Sequence, residues 1–291
     1  MRWMRPLFAL PPSSRRPQAT IFSQELGRDV TVRVHVPASA GSGDRFPVIY
    51  AQDGQHMFRS RLLRRTWAAG SALDHAERLG SRIILVAVDN GGARRASEYS
   101  PFLDQDFGGG AAEAYVQFVA ETLKPFVDRT LPTRTSAEDT TILGSSLGGL
   151  AALYAKFSRP EVFGSAICMS PSVSFADGAL VPYIRDQVAS GRVYLDVGTR
   201  EFGPHSDEYL RRTDELYEAF LSAGYTEGVD FEYAEVIGGT HTESSWGQRL
   251  PRALDFLYPS PTWKSRVSLV PQHAHAHAPM TWTPGVWVPG V

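Results

Sequence analysis

Ser146, Glu201 and His241 occur in the chain in an order that suits acyl transfer, and each sits where an apolar run gives way to a loop. Ser146 is the centre of Gly144-Ser145-Ser146-Leu147-Gly148, between the apolar run ending at Leu143 and a helical stripe of Leu150, Leu153, Tyr154 and Phe157. A serine nucleophile needs a sharp strand-to-helix turn that lifts its hydroxyl clear of the backbone, and glycines two before and two after let strand and helix pass. The start of the helix also turns backbone N–H groups toward charge developing on a substrate oxygen. Ser145 is the competing hydroxyl, but it has only one glycine in register.

A serine hydroxyl is a weak nucleophile until a base within hydrogen-bond reach takes its proton, and histidine is the usual base near neutral pH. Of the eight histidines, the order nucleophile, acid, base sets aside His35, His56 and His75. His241, in Gly238-Gly239-Thr240-His241 after the last apolar run, is the candidate base, whereas His205 reads as a surface residue at a helix start. The orienting acid belongs on the loop after Val193–Val197, where Gly198-Thr199-Arg200-Glu201 offers Glu201. Asp207 is the second choice, and a surface pair of Glu201 with Arg200 is the competing reading. Asp196 lies inside the strand run, and Asp207 and Asp214 lie in or near the next helix. For the oxyanion, the N–H of Leu147 needs a second donor. The loop Asp53-Gly54-Gln55 can supply the amide of Gln55, or be an ordinary Asp-Gly turn.

The elements that must position these loops follow from periodicity. Arg28–Val36 alternates apolar and polar residues, the pattern of a strand with one wet face. Runs at 47–51, 83–88, 140–143, 165–169, 193–197 and 231–236 are short and apolar, as in strands buried on both faces. Helical stripes at 67–78, 111–130, 146–157, 205–223 and 244–258 alternate with them. The expected fold is therefore α/β: a mainly parallel twisted sheet of about eight strands with helices on both faces and no large lid domain. The expected organisation is a flexible lead-in at 1–18, one domain at 19–260 and a tail at 261–291. The tail histidines His273, His275 and His277 are given no function and no metal.

With 29 basic and 31 acidic residues the formal charge is −2, so no strong field draws nucleic acid or an anionic membrane. A small ester-like substrate without a cofactor is the expected partner, and the oligomeric state stays open, a homodimer included. The apolar stretch Pro6–Leu10 is too short for a signal sequence and no run of about 18 apolar residues occurs, so a soluble, cytoplasmic protein is expected. The single cysteine, Cys168, lies in an apolar run and reads as buried and inert.

Taken together, several stretches resemble the esterase family of α/β-hydrolases that includes enterochelin esterases, feruloyl esterases, esterase D and mycolyltransferases. They are Tyr50-Ala51-Gln52-Asp53-Gly54-Gln55, Val88-Asp89-Asn90-Gly91-Gly92, Arg95-Ala96-Ser97-Glu98-Tyr99-Ser100-Pro101, Leu143–Leu150, Ser170-Pro171-Ser172 and Gly239-Thr240-His241. The resemblance covers roughly 20–258. It implies the α/β-hydrolase fold and an acyl-enzyme mechanism on carboxylic esters with no metal or organic cofactor. Ser146, His241 and Glu201 would act as the triad, with Leu147 and Gln55 on the oxyanion. It also places Arg95 where the siderophore-cleaving branch has an arginine near substrate, with a pair to Glu98 or a helix-face charge as the equal alternative. Some members of that branch use a Ser-His pair alone. Siderophore, feruloyl and simple short-chain esters, and acyl transfer to an alcohol, all remain open on this fold. The absence of a long insertion between Gly164 and Gly191 favours small or flexible acyl esters, with Trp67, Phe102, Phe107 and Phe175 as candidate pocket walls.

Overall fold

A computed structural model describes residues 18–58 and 65–259. The lead-in, apart from Gln18, and the tail with its histidines lie outside the described residues.

The strands are β1 (Gln18–Ser23), β2 (Arg28–His35), β3 (Val48–Ala51), β4 (Ile84–Val88), β5 (Leu103–Asp104), β6 (Gly108–Gly109), β7 (Thr140–Ser146), β8 (Ser165–Pro171), β9 (Arg192–Gly198) and β10 (Phe231–Val236). The helices are α1 (Ala69–Arg78), α2 (Arg95–Tyr99), α3 (Ala112–Gln117), α4 (Lys124–Thr130), α5 (Leu147–Ser158), α6 (Leu180–Arg185), α7 (Ser206–Ser222) and α8 (Glu243–Leu257). Eight strands form one sheet in the order β1-β2-β4-β3-β7-β8-β9-β10, while β5 and β6 make a separate small hairpin. β1 and β2 run antiparallel to their neighbours and every pair from β4 onward is parallel.

That division follows the sequence pattern. β2 alternates buried and wetter positions, as an edge-side antiparallel strand should, whereas β3, β4 and β8 are buried at every residue. Both faces of the parallel strands are covered. One face carries α1 and α8, which seal Ile49, Leu85, Leu143, Ile167 and Tyr194. The opposite face is covered by α3 to α5 and α7 over Tyr50, Val86, Ile142, Cys168 and Leu195. Burial raises the Cys168 thiol well above its ordinary range, in keeping with an inert core sulfur.

Several elements depart from the periodicity. The stripe at 111–130 is not one uniform helix: α3 and α4 are joined by a wide turn of π type at Phe118–Leu123. Pro125 supplies the reason, because it has no N–H for the carbonyl four residues back and its ring crowds that carbonyl. β1, the β5–β6 hairpin, α2 and α6 carry no usable period in sequence; the last three are only two to six residues long.

Candidate active site

The loops that follow β3, β7, β8, β9 and β10 emerge at the carboxyl ends of parallel strands, the edge where an open α/β sheet gathers its ligands. At its centre β7 ends at Ser146 and α5 begins at Leu147 with no residue between. The reversal within one residue puts Ser146 at φ 54°, ψ −127°. Such a conformation costs a side-chain-bearing residue about 1–3 kcal/mol. A Cβ at Gly144 would come within 2.0 Å of the Gly148 carbonyl oxygen, so the first glycine of the motif is a steric requirement of the turn.

Ser146 Oγ lies 3.3 Å from Ser172 Oγ, and the Ser172 N–H donates to the Ser146 carbonyl at 3.1 Å. Among the described residues Ser146 Oγ makes no hydrogen bond to His241.

His241 is held on several sides. Its Nδ1 is 2.7 Å from Glu201 Oε2. A carboxylate only accepts, so Nδ1 carries the proton and Nε2 of the neutral ring is left with its lone pair. Phe202 stacks obliquely at 4.6 Å, and Trp246 meets the ring at 4.9 Å in an edge arrangement. The loops that carry Glu201 and His241 lie against each other. The Arg200 N–H donates to the Gly239 carbonyl at 2.9 Å, and a Cβ at Gly198 would strike that carbonyl at 2.4 Å.

Behind His241 the Glu201 side chain is fully buried. Its Oε1 accepts from the Gly198 N–H at 2.6 Å and from the Ser170 hydroxyl at 2.5 Å, with the Arg249 guanidinium at 3.4 Å. The polarity of the Ser170 hydroxyl is set by its neighbours. Trp246 Nε1 at 2.9 Å and Arg249 Nη2 at 3.0 Å occupy its lone pairs, so its one proton points to Glu201. Arg249 also stands 3.1 Å from the buried Asp196.

On the other flank, Asp53 itself is at φ 54°. Its N–H donates to the Tyr99 hydroxyl at 3.0 Å, and its carboxylate takes Asn90 Nδ2 at 2.6 Å. Arg95 forks it with Nε at 2.8 Å and Nη2 at 2.9 Å. Gln55 follows in a short turn, Gly54–His56, and its side-chain oxygen accepts from the Asn90 N–H at 3.2 Å. A Cβ on Gly54 would meet the β4 backbone at 2.6 Å, so the loop is pressed onto the sheet.

Two expected site residues are placed differently. Arg95 does not pair with Glu98, which belongs to Arg28 through bonds of 2.7 and 2.5 Å; its fork on Asp53 makes it a brace of the Asp53–Gln55 loop. Trp67 is not a pocket wall but a core residue, 3% exposed, with its ring 5.8 Å from Trp246 and thus one ring removed from His241. Of the other aromatics, Phe107 and Phe175 pair at 6.5 Å, where the β5–β6 hairpin rests on the turn after Ser172. Phe102 packs on Tyr183 at 5.8 Å. Asp207 is exposed on α7.

Ser170, Ser172, Asn90 and Arg249 enter the site without having been singled out as site residues in sequence. Asn90, Ser170 and Ser172 fall in stretches that carry the family resemblance, and Arg249 had a signal of its own: with Trp246, Leu250, Ala253 and Leu257 it occupies the buried stripe of α8, a position where a charge requires a partner.

The fold agrees with what the chain is similar to. The protein is 27% identical over 243 residues to the uncharacterized protein YjcH of Bacillus subtilis, a match covering 80% of this chain and 93% of that one. It is 28% identical over 161 residues to the siderophore enterobactin esterase of Emericella nidulans, over 44% of this chain and 53% of that protein. In structure it is similar to the BES protein from Bacillus cereus, with a TM-score of 0.68 and 22% identity, covering 85% of this chain and 96% of the other. The siderophore hydrolase EstA from Aspergillus nidulans superposes with a TM-score of 0.67 at 21% identity, over 89% and 99% of the two chains. The family model described as "Putative esterase" matches residues 23–257, and the chain belongs to that esterase family, whose activity is hydrolytic.

Proposed function

We propose that the protein is a serine carboxylic-ester hydrolase working through an acyl-enzyme, with Ser146 as nucleophile, His241 as base and Glu201 as orienting acid. The observation that carries this reading is the buried Glu201 on His241 Nδ1 at 2.7 Å, on the same strand edge as the strained Ser146. Ser146 Oγ attacks the ester carbonyl carbon while His241 Nε2 takes its proton; the imidazolium so formed is stabilised by Glu201. The N–H groups of Leu147 and Gln55 receive the oxyanion. Collapse expels the alcohol, protonated by His241, and water then enters by the reverse sequence to free the acid. For the first step the Ser146 hydroxyl must leave Ser172 and turn to His241, a tightening that belongs to substrate binding.

Small or flexible acyl esters are the substrate class that the short β8–β9 connection favours. A second reading, a siderophore ester, draws support from relatives whose names specify that activity, including the ferri-bacillibactin esterase BesA of Bacillus subtilis, 38% identical over 139 residues. Hydrolysis of p-nitrophenyl acetate and butyrate tests the reaction class. Wild-type turnover that vanishes in Ser146→Ala is the expected result, and equal inactivity of both on a panel of esters would refute it. Chromatography of a catecholate trilactone digest separates the two substrate readings, and added alcohol as acceptor detects acyl transfer.

A further inference from the structure

Behind the acid of the site a second carboxylate and an arginine are buried that the proposed reaction does not use. Arg249, on α8, is 5% exposed at its side chain and lies between two fully buried carboxylates, Asp196 at 3.1 Å and Glu201 at 3.4 Å. Above about pH 7, where Asp196 is ionised, two negative charges and one positive charge sit together out of water. The Arg249–Asp196 contact is close yet poorly aligned: Asp196 Oδ1 and Arg249 Nε make no hydrogen bond among the described residues. What joins them is charge more than a directed bond.

We infer that Arg249 and Asp196 are positioning residues for the His241 base. Asp196 draws the guanidinium toward β9, and the positive charge left facing Glu201 sets how firmly Glu201 holds the His241 proton. This inference rests on the ester-hydrolase reading above. In a low-dielectric site, charges this close act strongly on each other, and an added negative charge favours an imidazolium while an added positive charge opposes it. Above about pH 7, where Asp196 is ionised, the arrangement leaves one negative charge in excess until His241 is protonated; below it a protonated Asp196 leaves Arg249 and Glu201 balanced.

Asp196 is surrounded from every packed element. Arg249 and Arg252 face it from α8 and Glu201 from the loop after β9. The Ser170 backbone bonds to it, and Cys168 on β8, Tyr194 on β9, Tyr209 on α7 and Tyr233 on β10 feel its charge; burial raises all four above their ordinary ranges, so they stay neutral. Burial, with Glu201 adding and Arg249 opposing, pushes the Asp196 carboxyl up to about 7.

The test is the pH profile of kcat/KM on p-nitrophenyl butyrate. Arg249→Met removes a positive charge and should move the acid limb to higher pH by about half a unit or more; Asp196→Asn fixes the neutral form that Asp196 adopts below about pH 7, and should move the limb to lower pH by a smaller amount set by the share of Asp196 still ionised there. Arg249→Lys should return the limb toward wild type even where kcat stays low. A purely structural role lowers kcat in both variants without opposite movements of the limb, so unmoved limbs, or limbs moving the same way, overturn the inference. Titration of the His241 ring by NMR in the folded variants gives the same readout without turnover; opposite shifts there alongside an inactive wild type would refute the esterase reading alone. Should neither variant fold, Tyr194→Phe deletes only the hydroxyl 3.3 Å from Asp196 Oδ2. It should shift the limb in the Asp196→Asn direction, and no shift overturns the inference.

Discussion

Asp53 with Arg95 on one side of Ser146, and Asp196 with Arg249 on the other, are both carboxylate–guanidinium pairs that support a residue at positive φ, Asp53 at 54° and Ser170 at 45°. Their surroundings differ. The Asp53 pair is closed on itself, bidentate, with Arg95 29% exposed, so its charges cancel and its bonds are directional. The Arg249 guanidinium is shared by two carboxylates, buried and misaligned with one of them. A neutral bidentate pair fixes geometry, which is what the Asp53–Gln55 loop needs for the oxyanion role proposed for it. A buried triad whose charge changes with the protonation of Asp196 acts instead on the protonation of its neighbour.

Experiments can break this contrast. The largest effect is expected at its centre: Ser146→Ala should lower kcat for p-nitrophenyl esters by about 10⁴-fold or more, checked by burst-free steady-state assays against wild type. Glu201→Gln should cost about 10²- to 10⁴-fold. Three kinds of donor meet Oε1, so the new carbonyl must take that place and the amide NH₂ must face His241 Nδ1. The ring then adopts the other tautomer and Nε2 loses its lone pair; a loss under tenfold would show that the protein works as a Ser-His pair.

Arg95→Met should lower kcat about tenfold, with KM little changed and the acid limb of the pH profile in place, because it loosens a donor loop and leaves the base alone. An acid-limb shift as large as that of Arg249→Met would erase the distinction between the two flanks. The last effect concerns stability. The Asp196 carboxyl is raised in the fold from 3.8 to about 7, so between those values the folded protein holds a proton that the unfolded chain releases. This group therefore favours folding below pH 3.8, and that contribution is lost as pH rises toward 7. Asp196→Asn should flatten the fall in urea-unfolding stability across that window, and an unchanged slope would count against a strained Asp196.

The chemistry nearest the backbone was legible in the chain. Gly-x-Ser-x-Gly between a strand run and a helical stripe demands the turn at Ser146, because the two glycines and the periodicity are local properties. The apolar runs announced the parallel strands, since strands buried on both faces favour apolar residues throughout. Glu201 and His241 could be nominated from the loops in which they fall, since parallel strands bring successive carboxyl-end loops to one edge.

What lay beyond reach were choices of partner across the sheet. Glu98 and Asp53 are both near enough in sequence or loop order to claim Arg95, and only the path of α2 relative to the β3 and β4 ends gives it to Asp53 and leaves Glu98 to Arg28. Trp67 could line a cleft or fill a core by type alone, and the packing of α1 against α8 buried it under Trp246. Asp196 and Arg249 are separated by some fifty residues, each an anomaly in an apolar stripe; they explain one another only once β9 and α8 are stacked. Local turns and periods are set by near-neighbour sterics that the chain carries with it, whereas the pairing of buried charges depends on which surfaces meet, and that is decided only when the whole sheet is closed over by its helices.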